Sequence, residues 1–143
     1  MELTFPVPCR PVSENDIRGK HWGSVRRLLN PWKEAARMAW QLAPAAERGA
    51  LQDVPCDVEV VIPFRTAQRR DPSNYVDTVV KAIVDGLVSN FASPHRGAKK
   101  VRTWRGVWDD DDPATVTVLE PVCIKSEGDV IVRLIPREVA EAG

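Results

Sequence analysis

Acidic and basic residues of this 143-residue chain are sorted into neighbouring blocks at two places. Arg65, Arg69 and Arg70 stand immediately before Asp71. Farther on, no acid occurs between Gly86 and Trp108, whereas Arg96, Lys99, Lys100, Arg102 and Arg105 all do; Asp109, Asp110, Asp111 and Asp112 follow at once. Cationic side chains hold nucleic-acid phosphates, and carboxylates hold hard divalent cations through oxygen. An enzyme that cleaves phosphodiesters needs both groups side by side. Solvated charged loops have a similar composition, so the blocks alone leave both readings open.

The most informative stretch runs from Asp71 to Val88, D-P-S-N-Y-V-D-T-V-V-K-A-I-V-D-G-L-V. At about 100° per residue, Tyr75, Val76, Val79, Val80, Ile83 and Leu87 form one apolar face of a helix. Asn74, Asp77, Thr78, Lys81 and Asp85 fall together on the opposite side. Asp71 occupies the N-cap position and Pro72 the first helical position, a start that requires no catalytic role. A metal-binding carboxylate fits the same place. The four consecutive aspartates repel one another, and a bound divalent cation relieves that repulsion.

These residues need a scaffold. Leu3, Phe5 and Val7 alternate, which predicts a strand over residues 2–8. Residues 9–30 read as a long loop, with a helix starting at Asn30-Pro31, carrying Trp32, Ala35, Ala36, Ala39, Trp40 and Leu42, and stopped by Pro44. Residues 57–64 place Val58, Val60, Ile62 and Phe64 on one face with period two, as in a strand. A loop over 65–70 leads into the helix at Asp71. Further strands are expected over 115–123 and 129–136, joined by the turn Ser126-Glu127-Gly128. The expected fold is α/β (α+β): one domain over 1–143, with a mixed four- to five-stranded sheet and two main helices.

Composition excludes several classes. Hydrophobic residues make up 43% of the chain and charged residues 28%, as in globular proteins. No apolar run approaches the ~20 residues that span a bilayer, so no membrane partner is expected. The segment MELTFPVPCR lacks the basic and apolar parts of a secretory signal, and a cytoplasmic setting is the expectation. Cys9, Cys56 and Cys123 have no metal-ligand spacing, and with only His21 and His95 beside them a zinc site is not expected.

The ordered set R-R-D-P-S-N, K-A-I-V-D-G-L and W-D-D-D-D-P-A-T-V resembles the RusA family of Holliday junction resolvases. The resemblance covers most of the chain and implies a RusA-like fold. It also implies a magnesium-dependent endonuclease, with manganese as an alternative ion, acting as a homodimer on branched DNA, above all the four-way junction. Asp71 matches the first acid of the family signature, Asn74 its asparagine, Lys81 the lysine needed for cleavage, and Asp85 the helix aspartate. Asp110 and Asp111 match an Asp-Asp pair, with Trp108 and Val116 as anchors.

The implied catalytic set is Asp71, Lys81 and Asp111, and the implied metal ligands are Asp71, Asp85, Asp110 and Asp111. DNA contacts fall to Arg65, Arg69, Arg70, Asn74, Lys99, Lys100, Arg102 and Arg105. Three departures stand out. Ser73 replaces the second acid of the signature. Lys81 lies seven residues after Asn74 rather than three, a difference close to one helical turn. The segment 89–108 is longer than in the family archetype and reads as an added DNA-contacting loop, with Trp104 either stacking on an unpaired base or packed in the core. The competing readings are a non-catalytic binder of branched DNA and a metal-dependent nuclease of broader specificity.

Overall fold

The computed structural model describes residues 1–137. Seven strands occur among them: β1 (Glu2–Phe5), β2 (Cys56–Phe64), β3 (Asn90–Ala92), β4 (Val101–Trp104), β5 (Val116–Val118), β6 (Val122–Lys125) and β7 (Val130–Pro136). Four α-helices accompany them: α1 (Glu14–Ile17), α2 (Trp22–Leu42), α3 (Ala45–Leu51) and α4 (Lys81–Leu87). A 3₁₀ turn, Pro72–Tyr75, and a π turn, Val76–Val80, lead directly into α4. The content is mixed α/β, as expected.

β2 is the centre of a five-stranded mixed sheet. It pairs antiparallel with β7, which pairs antiparallel with β1; on its other edge β5 and β6 run parallel to it in succession. The register places Val58 opposite Leu134, Val60 opposite Val132, and Leu3 beyond Val132, so period-two residues of three strands share one buried face. The parallel edge explains one departure from expectation. The strand expected over 115–123 is divided in two, and Pro121, which has no N–H for the ladder, sits in the break. The expected turn at Ser126 is present, with its hydroxyl oxygen accepting from the Gly128 amide at 2.9 Å.

The helices depart more. The loop expected over 9–30 is largely helical: α1 is closed by a Ser13–Asp16 capping box, and α2 begins at Trp22. Pro31 therefore lies inside α2 rather than opening it. An interior proline costs about 3 kcal/mol, but Leu28, Leu29, Trp32, Ala36 and Trp40 continue one stripe against the core through it. Burial along that stripe overrides the local break. α2 ends as expected, because Pro44 drives Ala43 into extended backbone. α3 and the β3–β4 hairpin were not expected.

Two glycines fix how the layers meet. At Gly86 a side-chain Cβ would lie 2.2 Å from the Lys33 carbonyl oxygen, so α2 and α4 cross with backbone nearly touching backbone. At Gly106 a Cβ would lie 2.2 Å from the Leu87 carbonyl oxygen. The last turn of α4 is thus held between α2 on one side and the segment before Trp108 on the other. Gly86→Ala is expected to destabilise the protein by about 2–3 kcal/mol, since neither backbone can yield without separating the helices. Gly49→Ala in α3, where a Cβ would meet nothing within 4 Å, should be neutral or stabilising by up to about 1 kcal/mol. Thermal melts of both variants test the contrast.

Candidate metal and phosphate site

Asp71 begins the helical segment as the sequence predicts. Its Oδ1 accepts from the Ser73 amide at 3.1 Å and from the Ser73 hydroxyl at 2.8 Å. Ser73 is therefore engaged with Asp71 through both its amide and its hydroxyl. Arg70 is also fixed: its guanidinium lies 3.8 Å from the Phe64 ring centre and donates to the Thr66 and Gln68 carbonyls, each at 3.0 Å. Arg65 and Arg69 are exposed, and Asn74 is half-buried. A cleft of about 730 Å³ opens at this end, lined among others by Arg10, Arg65, Arg70, Tyr75 and Glu127.

The π turn changes the helix face read from the sequence. At more than four residues per turn it rotates the positions that follow a regular 3.6-residue spacing. Thr78, expected on the polar side, is fully buried, and its hydroxyl donates to the Val12 carbonyl. Val76, expected on the apolar face, is only partly buried. Lys81 and Asp85 remain at the surface of α4, with the ammonium 3.9 Å from the carboxylate.

Asp85 is placed against several physical preferences. It lies in the last turn of α4, at the negative end of the helix dipole. A lysine four residues before an aspartate is the weaker ordering of a helical pair. Burial pushes the Asp85 carboxyl above its ordinary range; Lys81 opposes the shift, the nearby Asp111 carboxylate reinforces it, and Lys33 of α2 opposes it. Lys81 thus lies beside Asp85, and Asp111 and Lys33, from two other segments, are near enough to act on its charge. Lys33 was not singled out in the sequence, although the isolated glycine at position 86 was a signal that another backbone approaches there.

Within the tetrad, neighbouring residues take up three of the four acids. Asp109 receives Arg102 at 3.0 Å. Asp110 accepts from the Asp111 amide at 2.7 Å, and Asp112 accepts from the Ala114 and Thr115 amides at 2.8 and 3.1 Å. Among the described residues the Asp111 carboxylate makes no hydrogen bond or ion pair, and it is the one that Asp85 senses. Arg105 is bound to Asp53 at 2.9 Å. Lys99 and Lys100 are exposed and unpaired among the described residues.

Two of the expected metal ligands cannot share one ion. Asp71 and Asp85 are separated by fourteen residues of continuous helical backbone, which at about 1.5 Å per residue is on the order of 20 Å. One ion cannot touch both. Among the described residues no three His, Cys, Asp or Glu side chains form a ready metal-holding group. Asp111 lies near enough to Asp85 to act on its carboxyl. Two hard oxygen donors suit a magnesium ion, which retains several waters and takes only one or two protein carboxylates.

Because the native Asp85 keeps its proton to higher pH than the unfolded chain does, stability falls as pH rises through the ordinary carboxylate range. It stays lower at neutral pH, where the partly buried carboxylate is charged. Asp85→Asn should therefore melt at a higher temperature than the parent at pH 7 in EDTA. The difference should close as the pH approaches 4, as measured by melts across that range.

Comparison with protein-family models, with curated proteins and with solved structures finds no match to this chain, so the functional reading rests on the residues and their geometry.

Proposed function

We propose that this protein is a magnesium-dependent, structure-specific DNA endonuclease that resolves four-way junctions, as its resemblance to the RusA family implies. The observation that carries the reading is the Lys81–Asp85 pair, 3.9 Å apart, with the Asp111 carboxylate and Lys33 near enough to act on the Asp85 charge. An acid placed where burial and the helix dipole both disfavour its charge is costly unless a cation or a reaction uses it.

Asp85 and Asp111 would hold the ion, with manganese an alternative to magnesium. The ion, when bound, supplies a water of lowered pKa and polarises the phosphate. Lys81 and Lys33 add fixed positive charge where negative charge grows as water attacks phosphorus and the bond to the leaving sugar oxygen breaks. Lys99 and Lys100 bind the backbone beyond the scissile position, while Arg65 and Arg69 form a second cationic area at the Asp71 end. Asp71 has a capping role in this arrangement. A homodimer would present two such sites, matching the two-fold symmetry of a four-way junction and its two opposed nicks.

A second reading, a non-catalytic binder of branched DNA, draws on the Ser73–Asp71 hydrogen bond and on the separation of Asp71 from Asp85. Magnesium distinguishes the two. A nuclease should gain thermal stability on adding millimolar magnesium, by about 2.7 kcal/mol at a hundred times the dissociation constant. Asp85→Asn and Asp111→Asn should lose that gain.

The decisive assay is cleavage of a synthetic four-way junction, with magnesium or with EDTA, beside a linear duplex of matching sequence. Paired, magnesium-dependent nicks in the junction are expected. Asp111→Asn should lower the rate by at least a hundredfold while retaining junction binding, and Lys81→Ala should reduce the rate by tenfold or more. Wild-type cleavage by Asp111→Asn would show that the site lies elsewhere.

A further inference from the structure

The segment 89–108 is a hairpin rather than a loop. β3 and β4 pair antiparallel with Phe91 opposite Arg102 and Ala92 opposite Val101, and the ladder slips between Asn90 and Phe91. From Phe91 to Thr103 only Ala98 is even partly covered. Phe91 is 41% exposed and Val101 53% exposed. The turn carries His95, Arg96, Lys99 and Lys100, with no acid between the two strands.

Its root is rigid. The Gly106 amide donates to the Ser89 hydroxyl oxygen at 2.8 Å, and the Gln52 side chain donates to the Gly106 carbonyl at 2.6 Å. Arg37 of α2 lies 4.4 Å from the Trp104 ring centre, and Trp104 packs against the core. Trp104 is therefore committed at the base, and the aromatic ring left facing solvent on this hairpin is Phe91.

The hairpin's position relative to the acids follows from Arg102. Paired residues on antiparallel strands project to the same side, so Phe91 and Arg102 are neighbours. Arg102 in turn grips Asp109, two residues before Asp111. A projecting ring thus stands next to the acidic loop, and a cationic tip lies beyond it.

We infer that the β3–β4 hairpin is a branch-point reader. Phe91 takes an unpaired or unstacked base next to the strand to be cut, while Arg96, Lys99 and Lys100 hold the phosphates of that strand. This inference rests on the nuclease reading for the position of the cut, but not for the binding itself. A fully paired duplex keeps its bases stacked on one another and offers no open face to Phe91. A branch point offers one at little cost, because stacking there is already broken. An aromatic ring and a row of cations are the two elements by which proteins bind unpaired strands without reading sequence. The hairpin therefore selects DNA by structure, and the acids that follow Trp108 select the bond.

The test uses a synthetic four-way junction with 2-aminopurine at the branch point, and a linear duplex carrying the same probe, both in EDTA. The proteins are the full chain, Phe91→Ala, Phe91→Trp and the double variant Lys99→Ala/Lys100→Ala. Melting temperatures confirm that each is folded, as the exposure of these side chains leads one to expect. The wild type should change 2-aminopurine fluorescence in the junction but not in the duplex. Phe91→Ala should abolish that change and weaken junction binding at least fivefold, with duplex binding altered less than twofold; Phe91→Trp should restore both. The lysine variant should weaken both DNAs alike. Unchanged fluorescence and affinity in Phe91→Ala would overturn the inference, as would equal losses on junction and duplex. Junction cleavage in magnesium by the same proteins separates the two ideas. If the wild type cleaves and Phe91→Ala is indistinguishable, only the hairpin's role fails. If Phe91 acts as proposed but no protein cleaves, the nuclease reading fails alone.

Discussion

Two backbone-to-backbone contacts at the end of α4 hold the rest of the structure in place. Gly86 admits the Lys33 carbonyl of α2, and Gly106 admits the Leu87 carbonyl, each at a distance no other side chain would permit. The first contact seats α2 across α4 and buries Trp32, Ala36 and Trp40 between the helices and the sheet. The second brings the chain from the hairpin back beside α4, where Val88 bridges Trp108 in parallel and Trp108 donates from its ring nitrogen to the Val54 carbonyl at 2.7 Å. Asp85 precedes the first glycine by one residue, and the acidic loop follows Trp108 directly. Tight packing and the placement of charged groups are thus the same constraint.

That constraint explains why the acidic loop is ordered internally rather than by repulsion. Asp109, Asp110 and Asp112 are each satisfied locally, by a guanidinium or by backbone amides. These interactions stabilise the turn before β5, and among the described residues the Asp111 carboxylate alone of the four has no such partner. A cation between Asp85 and Asp111 would remove the one unfavourable pairing that the packing enforces.

The opposite end of the helical segment obeys other rules. There Asp71, Ser73 and Pro72 build a capped 3₁₀ start, and Arg70 lies over Phe64 at the end of β2. These interactions tie the start of the helix to the sheet. The π turn between the two ends accommodates the register difference, turning Thr78 inward to bond the segment before α1. Irregular helix of this kind recurs near functional sites because it re-aims side chains that a regular helix would distribute otherwise.

The sequence by itself determined the parts governed by short-range rules. Period-two alternation located β1 and β2, Pro44 ended α2, Asp71-Pro72 started the helical segment, and the Ser126 turn joined β6 to β7. It also marked Lys81, Asp85 and the aspartate tetrad as candidate chemistry. Only the tertiary structure decided which of them meet. Asp71 and Asp85 share one helical segment and are held apart by its length, whereas Asp111 and Lys33, distant from it in sequence, come near enough to Asp85 to act on its charge. The extension of α2 through Pro31 and the inward turn of Thr78 were likewise decided by burial. A proline or a polar side chain expresses a local preference of a few kcal/mol, and a continuous apolar stripe against the core outweighs it.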